Sequence, residues 1–184
     1  IPESVKRNQG VEVLTHHGKN GQSYQPYTDN LCLFRCLARH QGATDETLET
    51  TTHELFEQWC EDRGLDNDLP FEGVDAGEGV DRVEQLFKVN VENYELDGEE
   101  NIVPRRRSVA NFATNTTHLL EIDGHFAHIH DIDKATGSRS CTKCGKLWPH
   151  PNGKHLPEPA RTCSGCETRF TYPSGIYGPG KHIV

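Results

Sequence analysis

The sequence predicts an α+β fold, with N-terminal helices packed on an antiparallel sheet and a small metal-held module behind it. Three observations carry this expectation. Apolar residues at helical spacing dominate the first half of the chain, alternation with a period of two takes over near residue 89, and two CxxC pairs follow Lys134 in a stretch too poor in aliphatics to build a core. The domains therefore read as 1–134 and 135–184.

Residues 1–28, rich in Gly, His and Gln, read as an irregular lead-in with one alternating piece at 11–14. From Asn30 the run NLCLFRCLARHQG places Leu33, Cys36, Leu37 and His40 at helical spacing, with Asp29 or Asn30 as cap and Gly42 as stop. A second helix is expected from Thr44 or Asp45 to about Arg63, with Leu48, Leu55, Phe56 and Trp59 on one face and Gly64 ending it. After an acidic, Gly-rich stretch, residues 80–87 suit two helical turns. Strands are expected at 89–96, ending at Asp97-Gly98, and at 102–107. The clearest hairpin is 117–132, whose arms meet at Asp123-Gly124, a pair suited to the left-handed dihedrals of a tight primed turn.

Composition narrows the function classes. The chain has 184 residues and a formal charge of −9, from 19 Lys+Arg against 28 Asp+Glu. Backbone-directed nucleic-acid binding depends on cations that displace counterions, so this balance weighs against nucleic acid as the domain's partner. No apolar run approaches the ~20 residues needed to cross a bilayer, and the first residues are not a signal peptide, so no membrane partner is expected. Beginning at Ile1, the chain reads as an excised piece. The seven cysteines split unevenly, with Cys32, Cys36 and Cys60 early and four near the end. That pattern suits a metal site plus leftover thiols in a reducing, intracellular compartment, cytoplasm or nucleus, better than a disulfide framework.

Cys141-x2-Cys144, eighteen residues, and Cys163-x2-Cys166 have the spacing of a four-thiolate tetrahedral zinc site. His155, between the pairs, is an alternative fourth ligand. Four protein ligands leave no open position, so the expected zinc is structural, with no cofactor for catalysis.

Cys32 opens a helix directly after a polar loop, where free amides and the helix dipole favour the nucleophilic thiolate. Cys36, on the apolar face, reads as a buried core thiol. Such a nucleophile needs a base. Among eleven histidines, His125 stands out because it opens the second hairpin arm just after Asp123-Gly124, while His128 falls on the opposite side of that strand.

These residues resemble a known family. The run DNLCLFRCLA is similar to the nucleophile motif of ovarian-tumour (OTU) type cysteine peptidases, in which Asp-Gly-x-Cys-Leu-Phe-Arg starts the central helix, and His125-Phe126 resembles that family's histidine strand. Where the family has Asn or Asp two positions after the histidine, this chain has Ala127; the Asp123-x-His125 pattern instead looks like the herpesviral large-tegument deubiquitinases, also papain-like. A wider series of segments, from YTDNLCLFRCLARH to YPSGIYGP, is similar to a region upstream of family-B DNA polymerases in Polinton-like transposable elements. Those relatives carry histidine ligands just before the third cysteine, where this chain has Pro157 and Pro159, which favours Cys166 as the fourth ligand.

The resemblance implies a papain-like core and a cysteine isopeptidase acting on ubiquitin or a ubiquitin-like protein. Cys32 would be the nucleophile, His125 the base and Asp123 its orienter, with Gln25 and Asn30 as oxyanion candidates and a polymerase domain as a neighbour in the full-length chain. The tail of the modifier is expected to run between the Cys32 helix and the 117–132 hairpin, with the acidic stretch 61–84 as a solvated loop. The alternatives are a non-catalytic zinc module of a transposon polymerase, binding nucleic acid or protein, and a polyprotein autoprotease using the same dyad.

Overall fold

In the computed structural model, which describes residues 1–17, 24–25, 27–75, 77–108 and 110–140 together with 147–149, 160–162, 169–171 and 181–182, the chain divides into two units, 1–130 and 131–184. The first runs α1 (Glu3–Lys6), β1 (Val11–Glu12), β2 (His16–His17), β3 (Tyr24–Gln25), α2 (Cys32–His40), α3 (Leu48–Arg63), α4 (Glu78–Phe87), β4 (Asn90–Leu96), β5 (Ile102–Arg106), β6 (Thr116–Ile122) and β7 (His125–Ile129). The class is α+β, as the order of periodicities implies. The lead-in is more ordered than its composition suggests, since it contributes α1 and an edge strand of the main sheet.

The core lies between α2 and its neighbours. Leu33, Phe34, Cys36, Leu37 and Ala38 of α2 are all buried, and Phe34 is ringed by Phe56, Trp59, Phe71 and Phe87, with ring centroids 5.6 to 6.4 Å away. Each such side chain contributes about 1.5–3 kcal/mol by leaving water. Helix α3 starts at Leu48, later than its first polar residues suggest, because Thr47 Oγ1 accepts from the Thr44 amide and holds a turn first. It stops at Gly64, which takes the left-handed conformation at φ 64°. Glu84 of α4 is buried, yet it accepts from the Val91 amide at 2.7 Å and from Arg106, which fastens α4 to β4 and β5.

The main sheet has the order β1-β7-β6-β4-β5 and is mixed. The expected antiparallel sheet is corrected here: β4 and β6 run parallel, Asn90 opposite Thr116 through Tyr94 opposite Leu120. Strand β5 returns antiparallel along one edge of β4, and the following connection carries the chain to the other edge, so β6 must leave in β4's own direction. Val91 and Leu119 belong to the core that α2 and α3 cover.

Strands β6 and β7 form the hairpin read from the sequence, with Ile122 opposite His125 across Asp123 (φ 50°) and Gly124 (φ 79°). Positive φ at both central residues is the primed turn that Asp-Gly favours. Gly124→Ala places a Cβ in that left-handed position, so urea denaturation should show a loss of about 1 kcal/mol.

The second unit contains α5 (Ile132–Thr136), β8 (Ser138–Ser140), β9 (Leu147–Pro149), β10 (Ala160–Thr162), β11 (Arg169–Thr171) and β12 (Lys181–His182). Helix α5 was not evident from apolar spacing; Asp131 caps it by accepting from the Lys134 amide, and Gly137 ends it. Strands β8 and β9 pair antiparallel, as do β10, β11 and β12 in order. No described helix is long and apolar enough to cross a membrane.

Candidate active site

The loop before α2 is held from below by one cation. Arg35, on the first turns of α2, is 1% exposed, which for a guanidinium demands full compensation. Two of its nitrogens donate to Asp29 at 2.7 and 2.6 Å, and Nε and Nη2 donate to Glu49 of α3 at 2.9 Å each. The Tyr27 ring covers it at 3.4 Å. Asp29 also accepts from the Leu31 amide at 3.1 Å. Hydrogen bonds from Arg35 hold the carboxyls of Asp29 and Glu49 below the usual range. The clamp fixes residues 29–31 to two helices, immediately before the thiol.

Asn30 occupies the position where the resembled motif has glycine, and it adopts φ 59°, a conformation that asparagine tolerates better than most side-chain-bearing residues. Its amide nitrogen donates to the Phe71 carbonyl at 2.8 Å, so its side chain ties the loop to the segment after α3. Gln25 lies in β3 opposite His16.

Cys32 is the first residue of α2 and partly exposed, as its place in the sequence implies. β1 pairs with β7 only at Ile129 and His128, so among the described residues the outward backbone groups of Phe126 have no strand partner there. Cys36 Sγ donates to the Phe126 carbonyl at 3.7 Å, and the Phe126 amide bonds toward the Cys32 sulfur. Cys36 thus satisfies the outward carbonyl of Phe126, while the amide of the same residue favours the Cys32 thiolate. Burial raises the Cys32 thiol above its ordinary value, against the amides of Phe126, Leu33 and Cys32 itself and the Arg35 charge, which favour the thiolate. Cys36 is fully enclosed, and burial holds it neutral far more strongly.

Cys32 is therefore placed beside the neighbour of His125. Pairing with β6 puts His125 on the face of β7 shared by Ala127 and Ile129, while Phe126 and His128 take the face toward α2. The Phe126 amide, which favours the Cys32 thiolate, belongs to the residue next to His125 in β7. The His125 residue is exposed at the first position of the strand, and no described residue hydrogen-bonds its ring. Asp123 is an exposed turn residue, and among the described residues no hydrogen bond joins it to His125.

The other histidines of this region are committed elsewhere. His118 Nδ1 lies 3.2 Å from the Tyr94 hydroxyl. His128, buried, faces Glu12 at 3.8 Å and packs against His40. His40 Nε2 donates to Asn115 Oδ1 at 2.7 Å, because the Asn115 amide nitrogen is spent on the Lys88 carbonyl.

A cleft of about 520 Å³ adjoins the clamped loop, lined by residues 28–31, by His53, Phe56 and Glu57 of α3, and by 67–71. Part of the acidic stretch that reads as a solvated loop forms its wall.

Comparison of the chain with protein-family models, curated proteins and solved structures finds no match. The residues and their geometry carry the functional argument alone.

Sequence reasoning missed the clamp. Its signal was available: one arginine inside an otherwise apolar helical stretch, with acids six residues before and fourteen after. Cys141, Cys144, Cys163 and Cys166, like His155, lie outside the described residues, but strands β8 and β9 flank the first pair in sequence and β10 and β11 the second. Among the described residues no group of three or more His, Cys, Asp or Glu could hold a metal.

Proposed function

We propose that the chain is a papain-like cysteine peptidase that cleaves the isopeptide bond of ubiquitin or a ubiquitin-like modifier. The observation that supports it best is Cys32 at the start of α2, after a clamped loop, with its sulfur against the backbone next to His125. His125 takes the proton of the Cys32 thiol, and the thiolate adds to the isopeptide carbonyl. The Cys32 amide and donors of the 25–31 loop would hold the oxyanion, with Gln25 and Asn30 as side-chain candidates. The C–N bond breaks as His125 returns its proton to the departing lysine amine, leaving a thioester on Cys32. Water, deprotonated by His125, then hydrolyses the thioester to a free carboxylate and the thiol. Asp123 is proposed as the orienter of the imidazole, acting through the turn that precedes His125.

The second unit is read as a module organised by one zinc on Cys141, Cys144, Cys163 and Cys166, which takes no part in catalysis. Two short antiparallel pairs that each flank a CxxC support this. Metal analysis should find close to one equivalent of zinc. Cys166→Ser should lower that content and His155→Ala should leave it unchanged; the reverse pattern defeats the four-thiolate assignment.

The enzymatic reading is tested by intact mass after incubation with a ubiquitin probe carrying a C-terminal electrophile. One adduct per chain is expected. A protein inert to every ubiquitin-family probe that instead shifts labelled DNA with a steep salt dependence is a nucleic-acid-binding module and not this enzyme.

A further inference from the structure

We propose that, independently of any peptidase activity in the first unit, the second unit binds single-stranded nucleic acid, with Arg139 and Trp148 of the β8–β9 ribbon and Arg161 and Phe170 of the β10–β11–β12 sheet as contact residues. The net charge of −9 conceals a division along the chain. Residues 1–130 hold 11 Lys and Arg against 24 Asp and Glu, whereas residues 131–184 hold 8 against 4. Strands β8 to β12 carry Arg139, Arg161, Arg169 and Lys181 and no acid. The charge balance that weighs against a nucleic-acid partner therefore belongs to the first unit.

The second unit also contains an internal repeat. RSCTKCGKLW at 139–148 and RTCSGCETRF at 161–170, 22 residues apart, share the pattern Arg, Ser or Thr, Cys-x2-Cys, three residues, then an aromatic ring. Ligation of a metal accounts for the cysteines of that pattern and leaves the arginine and the ring without a purpose. Strand register joins those two. Arg139 pairs with Trp148 across β8 and β9, and Arg161 pairs with Phe170 across β10 and β11, where β12 adds His182 opposite Phe170. Residues directly opposite in antiparallel strands lie on one face. Each ribbon thus sets a cation and a flat ring at one register position, which is what a nucleotide needs: a guanidinium for the phosphate and a ring for the base. Cross-strand bracing accounts for a single such pair, but not for five strands without an acid among them. Single strands fit better than duplexes, because only an unpaired base can leave its own stack for a protein ring.

The test uses the full chain and fluorescein-labelled oligothymidine and oligouridine, each about twelve nucleotides long, followed by anisotropy over a range of salt. Binding by either probe supports the assignment, and the pair of probes separates DNA from RNA. Arg139→Gln with Arg161→Gln should flatten the slope of log affinity against log salt by about 1.4, the share of two phosphate contacts on a single strand. Trp148→Leu with Phe170→Leu should weaken binding about tenfold or more and leave that slope unchanged. Lys6→Gln with Arg7→Gln, exposed cations of the first unit, should alter neither quantity. A further measurement needs no variant. The chain has 2 tryptophans and Trp59 is buried in the core, so unlabelled oligothymidine should quench the emission of Trp148, while heparin, a polyanion without bases, should not. Failure of both probes to bind, binding that neither double variant changes, or equal quenching by heparin overturns the assignment. Labelling by the electrophilic ubiquitin probe is scored on the same samples and reports on the first unit alone, so either unit's reading can fail without the other.

Discussion

Cys32→Ala is expected to abolish both probe labelling and isopeptide cleavage, while Cys36→Ala and Cys60→Ala keep labelling intact. The three thiols differ in access and in what faces them. Cys32 is partly exposed, receives three amides and lies near the Arg35 charge, whereas Cys36 is sealed in the core with its proton spent on the Phe126 carbonyl. Cys60 is buried on α3, where the nearby charges of Asp66 and Glu57 push its thiol up further. Loss of the base should be nearly as severe: His125→Ala should cost on the order of a thousandfold or more in turnover, and Asp123→Ala less, because an orienting group acts through the histidine. Burial dominates the Cys32 thiol, so on the proposed dyad its thiolate depends on the His125 imidazolium, and labelling by a neutral electrophile should slow more steeply with falling pH in His125→Ala than in the parent. If His125→Ala keeps normal turnover while His128→Ala kills it, the base comes from the face of β7 turned toward α2 and not from His125.

Removing the acids under Arg35 should produce the largest loss of stability. Asp29→Asn with Glu49→Gln leaves a guanidinium that is 1% exposed without a counter-charge, which costs about 3–5 kcal/mol in comparable buried pairs. Thermal unfolding should move down by on the order of 10 °C. Arg35→Met should cost less, about 2–3 kcal/mol, because the stranded acids are nearly half exposed and water can reach them. The pH dependence has a definite sign. Both carboxyls titrate below their ordinary values when folded, so their stabilisation is fully present above the unfolded range near pH 4 and disappears as pH falls through the folded values. The gap between parent and double variant, measured by urea midpoint, should therefore be wide at pH 6 and narrow toward pH 3. A gap that stays constant, or grows in acid, shows that the acids are not what compensates Arg35.

The legible parts of the chain are those where a local signal has one physical meaning. Leu33, Cys36 and Leu37 after the polar residues 28–30 specify a helix whose first residue is Cys32. Asp123-Gly124 fixes both the turn and the register that puts His125 first on β7. What the sequence hides is long-range. The parallel pairing of β4 with β6 follows from which edge the connection reaches, and no residue between them records that choice. Strand β1 is two residues long and gains its partner from β7, far along the chain. The Asp29–Arg35–Glu49 clamp is visible as letters but not as a contact, because α3 must first fold back on α2. Asp123 remains legible twice, as a turn former and as a proposed orienter, and its exposure at φ 50° accounts fully for the first role.

The union of α2 with the edge of β7 also sets a schedule. Cys36 and Phe126 are separated by 90 residues, so a ribosome making the chain at ~5–20 residues per second exposes the helix several seconds before the strand exists. Throughout that interval Cys36 lacks the carbonyl that later occupies its proton. Both sulfurs are open to oxidants until the hairpin emerges. Formation of the hairpin is thus the step that takes Cys36 out of the reach of oxidants while leaving Cys32 partly exposed.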